Sequence, residues 1–412
     1  MKSLKALLFY LDQGRPFCAD SRKAQTRSIY FALKGLRHDG HDFLKEARNK
    51  GAEVAVVSDD YKGKDFGLTL FFERDVLQTL QSLAGISRER NLKQKVIGIT
   101  GSVGKTSTKE FLAALLKKEF VVEYTKNSEN SQVSLPLTIL NSNPKAQILI
   151  LEMGMSVEGE LKHLTKIAQP DIALITRIAL SHADSFSNKE AIARAKGEIL
   201  QSPRLKMVVM SENVSSYRPF RDYRGEKLIY KKEEMKEPLP LQFSADHLVE
   251  NLYGAIKVAQ YLGMSISEIR NQSMEIEPFT RRFSQLEKRG VLFIDDTYNA
   301  NLDSSLAALK NLPNPKEESG KKIAVLGSMK ELGNFSEECH KKVGESAKEK
   351  VDHLLTFGEE AKWIGEAFGR GSEHFSSKTE LLERLKELAK KGDVVLVKGS
   401  NSLEMDSLLR DY

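Results

Sequence analysis

A three-domain α/β architecture is what the chain predicts, on three observations. Short apolar runs alternate with amphipathic helical segments along its whole length. At 412 residues it exceeds what one hydrophobic core ordinarily serves. The alternation also changes character twice, which divides the chain at 1–87, 88–278 and 279–412.

In the first block SIYFAL, AEVAVVS and LTLFF read as strands separated by helical stretches, a small α/β unit. Its opening, MKSLKALLFYLDQGRPF, holds a short apolar run, but Asp12 follows and no small-residue cleavage site is evident, so no export signal is expected. In the second block KVIGIT precedes TKEFLAALLKKEF, QILILEMG precedes VEGELKHLTKIA, and DIALITRI precedes KEAIARAKGEIL. Continuous apolar strands between amphipathic helices imply a mostly parallel sheet covered on both faces. DHLVENLYGAIKVAQYLG reads as a closing helix, and MSISEIRNQSMEIEPFT as exit and linker. The third block repeats the doubly wound pattern with VLFIDD, KKIAVLGS, HLLTFG and DVVLVKGS, a Rossmann-like unit in which LPNPKEESGKK is a surface loop.

Composition narrows the function. Hydrophobic residues at 40% and charged residues at 29% describe a soluble globular protein, and no apolar run approaches the ~20 residues of a membrane span. The net charge of +6 comes without a dense basic block interleaved with aromatics, which favours small anionic ligands over nucleic acid. Two cysteines, Cys18 and Cys339, provide neither a disulfide framework nor a zinc site. A cytosolic location is expected.

The chemistry concentrates at strand ends. VIGITGSVGKTS is an apolar strand, a glycine turn, then Lys105 and Thr106 opening a helix. Backbone N–H groups at such a turn face a phosphate, the lysine reaches the terminal phosphates and the hydroxyl can hold Mg²⁺. The loop departs from the strict G-x-x-x-x-G-K-[ST] pattern, because Ile99 stands where that pattern needs glycine. Glu152, His182, Asp296 and Lys398 follow apolar strands, where open α/β sheets bind ligands. Lys196 falls on the apolar stripe of its helix with Ile192, Ala195 and Ile199, a place where a lysine needs a partner, a route to solvent or chemical modification.

With these residues in place the chain resembles the Mur ligase family, and the resemblance covers nearly its whole length. TGSVGKTS matches that family's own phosphate loop, T-G-x-x-G-K-[TS], and so assigns Gly101, Ser102, Gly104, Lys105, Thr106 and Ser107 to the nucleotide. The resemblance implies that Glu152 in LEMG binds magnesium, that His182 is the metal-associated histidine, and that Lys196 is carbamylated, an anion able to hold Mg²⁺. It assigns Asn251 to the adenine and Arg282 to the nucleotide. DDTYNANLDSS resembles the signature of the D-alanyl-D-alanine-adding members and puts Asp296, Tyr298 and Asn299 around the ribose and phosphates. DSRKAQTRSIYFALKG and HDGHDF resemble the domain that grips the UDP end of the precursor, with Asp20, Ser21, Arg22, Lys34, Gly35 and His41 as candidates. Asn130 is the clear match of the peptide-binding N-x-N-N element.

Implied, then, are a central P-loop-type ATPase domain, ATP and Mg²⁺, and two further substrates, a UDP-N-acetylmuramoyl tripeptide and D-alanyl-D-alanine. The tripeptide's carboxylate would attack the γ-phosphate, and the dipeptide amine would then displace phosphate from the acyl phosphate. Lys105, His182 and Lys196 would be the catalytic set. A cytoplasmic monomer without nucleic acid or stable membrane insertion is expected. Departures occur at Ser134 for glycine, Leu302 for proline, Arg177 for asparagine, and Ala183–Asp184 after His182. The rival readings are a sibling ligase adding a single amino acid and, in another class, a nucleotide-binding switch or RNA-associated ATPase. The DTYNAN signature argues against the first, and the set Glu152, His182 and Lys196 against the second.

Overall fold

The structure, a computed structural model, describes residues 2–181, 184–231 and 239–412. His182 and Ala183 lie outside the described residues. Three sheets follow one another along the chain.

The apolar run at the start is an amphipathic helix, Lys2–Asp12, whose Leu4, Leu7, Leu8 and Leu11 recur at helical spacing and pack on the core. The first sheet holds β1 (Phe17–Cys18), β2 (Ile29–Phe31), β3 (Val54–Ser58) and β4 (Thr69–Glu73), parallel and in sequence order. Alternation along the strands separates its faces. Ile29, Phe31, Val54 and Val56 join the main core, while Tyr30, Ala55 and Val57 pack with Cys18 and Leu44 on the other side.

The helix Val76–Arg90 runs on from this sheet, and position 87, where the first block was expected to end, falls inside it. Its end is clamped. Arg88, 1% exposed, donates to Asp171 Oδ2 at 2.7 Å and to the carbonyls of Ala168, Asn91, Gln94 and Gln169. Asp171 also accepts from Val96 N and from Arg204, which ties the helix to the start of the second sheet.

That sheet comprises β5 (Lys95–Thr100), β6 (Val122–Tyr124), β7 (Ile148–Glu152), β8 (Ile172–Ile175), β9 (Met207–Ser211) and β10 (Lys227–Tyr230). All pairs are parallel, in the order β10-β9-β8-β5-β7-β6. The chain leaves β5 toward one edge and later returns to its other side at β8. The carboxyl end of β5 is therefore the switch point, where an open sheet leaves a crevice for ligands. Helices Lys105–Leu116 and Asp246–Tyr261 pack on one another over this sheet.

The segment expected to be a linker contains the helix Ile266–Ser273. Its start is a capping box in which Ser265 and Glu268 satisfy each other's backbone N–H groups, and Ile269 is fully buried.

The third sheet holds β11 (Ser284–Lys288), β12 (Val291–Asp296), β13 (Lys322–Gly327), β14 (His353–Phe357), β15 (Ser372–Phe375) and β16 (Val394–Lys398), in the order β11-β12-β16-β13-β14-β15. Only β11 runs antiparallel to its neighbour. Residues 312–321 form a loop, as LPNPKEESGKK predicts.

Candidate active site

The phosphate loop leaves β5 at Thr100 and becomes the helix Lys105–Leu116. Two glycines are required by geometry. Gly101 has φ +148°, and a Cβ there would lie 2.0 Å from Thr176 Oγ1; Gly104 has φ +88°, and a Cβ there would lie 2.2 Å from Asn251 Oδ1. Ile99, by contrast, is a fully buried residue of β5 paired with Glu152 and Leu174, so the position that lacks glycine is sheet core and not loop. The loop is pinned by Ser102 N donating to Arg177 O (2.7 Å) and Ser102 Oγ to Ala179 O (2.8 Å). Lys105 Nζ folds back onto Gly101 O at 2.8 Å. Burial pushes its pKa down; the carboxylate of Glu152 opposes that shift and Arg282 adds to it.

Thr106 is the hub of the floor. Its hydroxyl donates to Glu152 Oε2 (2.9 Å), lies 3.2 Å from Ser128 Oγ and accepts from Arg282 Nη2 (2.8 Å). Glu152, at the carboxyl end of β7 and 1% exposed, takes Asn130 Nδ2 on its other oxygen at 2.8 Å. Oxygen ligands this close and this buried suit a hard divalent cation, which binds through one or two carboxylates, hydroxyls, phosphate and water.

Lys196 is 1% exposed and, among the described residues, forms no ion pair. Desolvation, and behind it the charge of Lys105, holds its pKa well below the ordinary lysine range. Burial thus disfavours the charged form of the amine. It is not among the residues that line the cavity. His182, expected to share a metal with it, is among the residues not described.

The third sheet closes the site. Asp296 and Lys398 end neighbouring strands in register, and Lys398 Nζ donates to Asp296 Oδ2 at 2.6 Å and to Asn299 O at 2.9 Å. Arg282 crosses to Thr106 with its guanidinium stacked 3.8 Å over the Tyr298 ring. Asn251 sits against Gly104, which places it on the phosphate loop. The resulting cavity, about 840 Å³, is lined by Ser102, Gly104, Lys105, Thr106, Ser107, Asn130, Glu152, Asn251, Arg282, Asp296, Tyr298 and Asn299. All but two of the nucleotide, metal and peptide candidates that are described line it, the exceptions being Gly101 and Lys196.

A second cavity of about 990 Å³ opens on the first sheet and gathers Asp20, Ser21, Arg22, Lys34, Gly35 and His41. Asp20 takes the Arg22 guanidinium at 2.9 and 2.8 Å, which lowers its pKa, and Ser21 Oγ donates to Glu46 at 2.6 Å. His41 Nε2 accepts from Ser58 N at 3.0 Å, so Nδ1 carries the proton toward Asp39. Its ring stacks on Tyr61 at 5.0 Å. Lys34 pairs with Asp60 at 3.2 Å.

Sequence reasoning missed Ser128, Lys109 and His247. Ser128 stands inside a motif element recognised only by Asn130. Lys109 is one of three lysines in TKEFLAALLKKEF and does not stand out there. His247 sits edge-on to Phe283 at 5.0 Å, with burial lowering its pKa, and its neighbours come from distant segments.

Known proteins resemble this chain along nearly its whole length. Residues 18–78 match the family model described as Mur ligase family, catalytic domain; 99–234 match Mur ligase middle domain; 281–401 match Mur ligase, glutamate ligase domain. The UDP-N-acetylmuramoyl-tripeptide–D-alanyl-D-alanine ligase of Bacillus subtilis is 30% identical over 95% of this chain and 92% of its own length. The Escherichia coli enzyme of the same name is 29% identical with the same coverage. Among solved structures, the MurF ligase of Thermotoga maritima in complex with ADP superposes with a TM-score of 0.83 at 30% identity, covering 96% of each chain.

Proposed function

We propose, for a chain that belongs to the Mur ligase family, the ATP-dependent joining of D-alanyl-D-alanine to a UDP-N-acetylmuramoyl tripeptide. The observation that carries this reading is the convergence of three elements on one hydroxyl. Thr106 of the phosphate loop, Glu152 of β7 and Arg282 from the third block meet within 2.9 Å.

A carboxylate is a poor electrophile until a phosphoryl group makes one of its oxygens a leaving group. In the reading proposed here the loop N–H groups and Lys105 hold the β- and γ-phosphates of ATP. The tripeptide's terminal carboxylate attacks the γ-phosphorus, the bond to ADP breaks, and an acyl phosphate forms. The dipeptide amine then adds to the acyl carbon, loses its proton and expels inorganic phosphate. Lys105 and Arg282, both partly withdrawn from water, stay opposite the charge that develops on the transferring group. Asp296, held by Lys398, and Tyr298 form the wall for the ribose and phosphates. Packing of the third block against the loop keeps water from hydrolysing the acyl phosphate.

The donor set fits magnesium: Thr106 and Glu152 would hold one ion, Lys196 as its carbamate together with His182 a second, and the ions would neutralise phosphate charge. The Lys196 amine would add to CO₂ and release one proton, a reaction that needs the neutral form its burial favours.

Residues 1–87 would grip the UDP end through the cavity around His41, 88–278 bind ATP, and 279–412 complete the nucleotide and dipeptide site. No described helix is long and apolar enough to cross a membrane. We place the reaction in the cytoplasm, with the chain acting as a monomer. ADP release that requires both the tripeptide precursor and D-alanyl-D-alanine tests the reading; release with a single amino acid in place of the dipeptide would replace it with a sibling activity.

A further inference from the structure

Three lysines are buried among the described residues: Lys109, Lys196 and Lys398. The last two belong to the site above, but Lys109 has no part in that account. It lies one turn beyond Lys105 on the helix Lys105–Leu116, with its side chain fully enclosed. A buried ammonium is costly unless every proton finds an acceptor. Lys109 Nζ donates to Thr125 O at 2.6 Å, to Asn127 O, and to Glu110 Oε1 at 3.0 Å, and it stands 3.9 Å from Glu152 Oε2.

Two of those acceptors are backbone carbonyls of the segment that follows β6. That segment turns through Asn127 at φ +51° and delivers Ser128 to Thr106 and Asn130 to Glu152. Thr125 also reaches the same carboxylate's strand, accepting Glu152 N on its hydroxyl at 3.0 Å. Without a cation between them, the two carbonyls and the carboxylates of Glu110 and Glu152 would be gathered around one point without the charge that offsets their mutual repulsion. The loop would then relax away from β7.

We infer that Lys109 is a positioning residue. It fastens residues 125–130 to the phosphate-loop helix, so that Ser128 and Asn130 orient the Thr106 hydroxyl and the Glu152 carboxylate for magnesium. The inference rests on the reading that Thr106 and Glu152 hold the ion. Residues that orient metal ligands typically change metal affinity by about 10- to 100-fold when removed. Lys109 touches no cavity surface, so its loss leaves the phosphate cradle itself intact.

Calorimetric titration of the full chain with ADP, in EDTA and in excess magnesium, separates the two effects. The parent should bind ADP more tightly with magnesium; a parent indifferent to magnesium would sink the Thr106–Glu152 reading, and this inference with it. Lys109→Met, which keeps the volume, should bind ADP in EDTA as the parent does and lose about 10-fold or more of the magnesium-dependent gain. A gain equal to the parent's, or equal losses in EDTA and magnesium, overturns the role. Should Lys109→Met not fold, Asn130→Ala on the cavity wall gives the same reading. It should lose the gain in the same way, and a folded Asn130→Ala with the full gain overturns the proposed route.

Discussion

An amine in the interior with no acid paired to it is an unstable arrangement unless it is neutral or modified, and among the described residues Lys196 is in that position. Replacing it with alanine should abolish ligation, and chloride or a short-chain carboxylic acid should restore part of the activity by supplying the missing anion. Full activity of the unsupplemented variant would remove the carbamate from the account. Lys105 is the complementary case, a cation at the start of the phosphate-loop helix that donates to Gly101 O. Lys105→Ala should reduce ADP release by about 100-fold or more, since it deletes a preorganised charge from a site shielded from water. Lys196 was legible because it interrupts an apolar stripe. Lys109 was not, because TKEFLAALLKKEF presents it as one lysine among several, and the carbonyls that hold it come from residues 125 and 127.

At the scale of elements, strands of continuous apolar character were readable, and so was the loop they feed. The glycine turn announced a phosphate cradle, and the two glycines that φ and space demand are the ones the family pattern keeps. Short or edge strands such as β6, β11 and β15 left little sequence signal, because they are half-exposed and take their conformation from a neighbour. The helix Ile266–Ser273 could have been found from its S-x-x-E capping box, which the linker reading passed over. Another element carries a pH response. His340, fully buried, accepts from Met329 N at 2.9 Å through Nε2 and donates from Nδ1 to Ser336 O at 2.7 Å. Burial lowers its pKa below the ordinary 6.5. The unfolded chain then binds more protons than the folded one just below that value, so stability is complete above pH 6.5 and declines as pH falls toward the folded-state pKa. Thermal unfolding followed from pH 8 downward, in steps of about one unit, should show that decline in the parent and a shallower one in His340→Gln. Identical slopes would assign the decline to other groups.

For the whole molecule, the succession of three sheets was readable from the apolar runs, while the helix that carries the chain past residue 87 was not. The helix Val76–Arg90 carries the chain across its first boundary and is fixed by a fully buried ion pair, Arg88–Asp171. Asp171→Asn leaves Arg88 without its counter-charge and should cost about 3–5 kcal/mol of stability, measured by denaturant unfolding. A loss under about 1 kcal/mol would mean that the carbonyls alone suffice. The second joint is the bond from Arg282 to Thr106, and it gives that hydroxyl two claimants. In the reading proposed above, a divalent ion on Thr106 would compete with that guanidinium, because like charges repel at such range. One oxygen thus holds together segments that lie 176 positions apart, so a change at Arg282 is felt by the phosphate loop and by the third block at once.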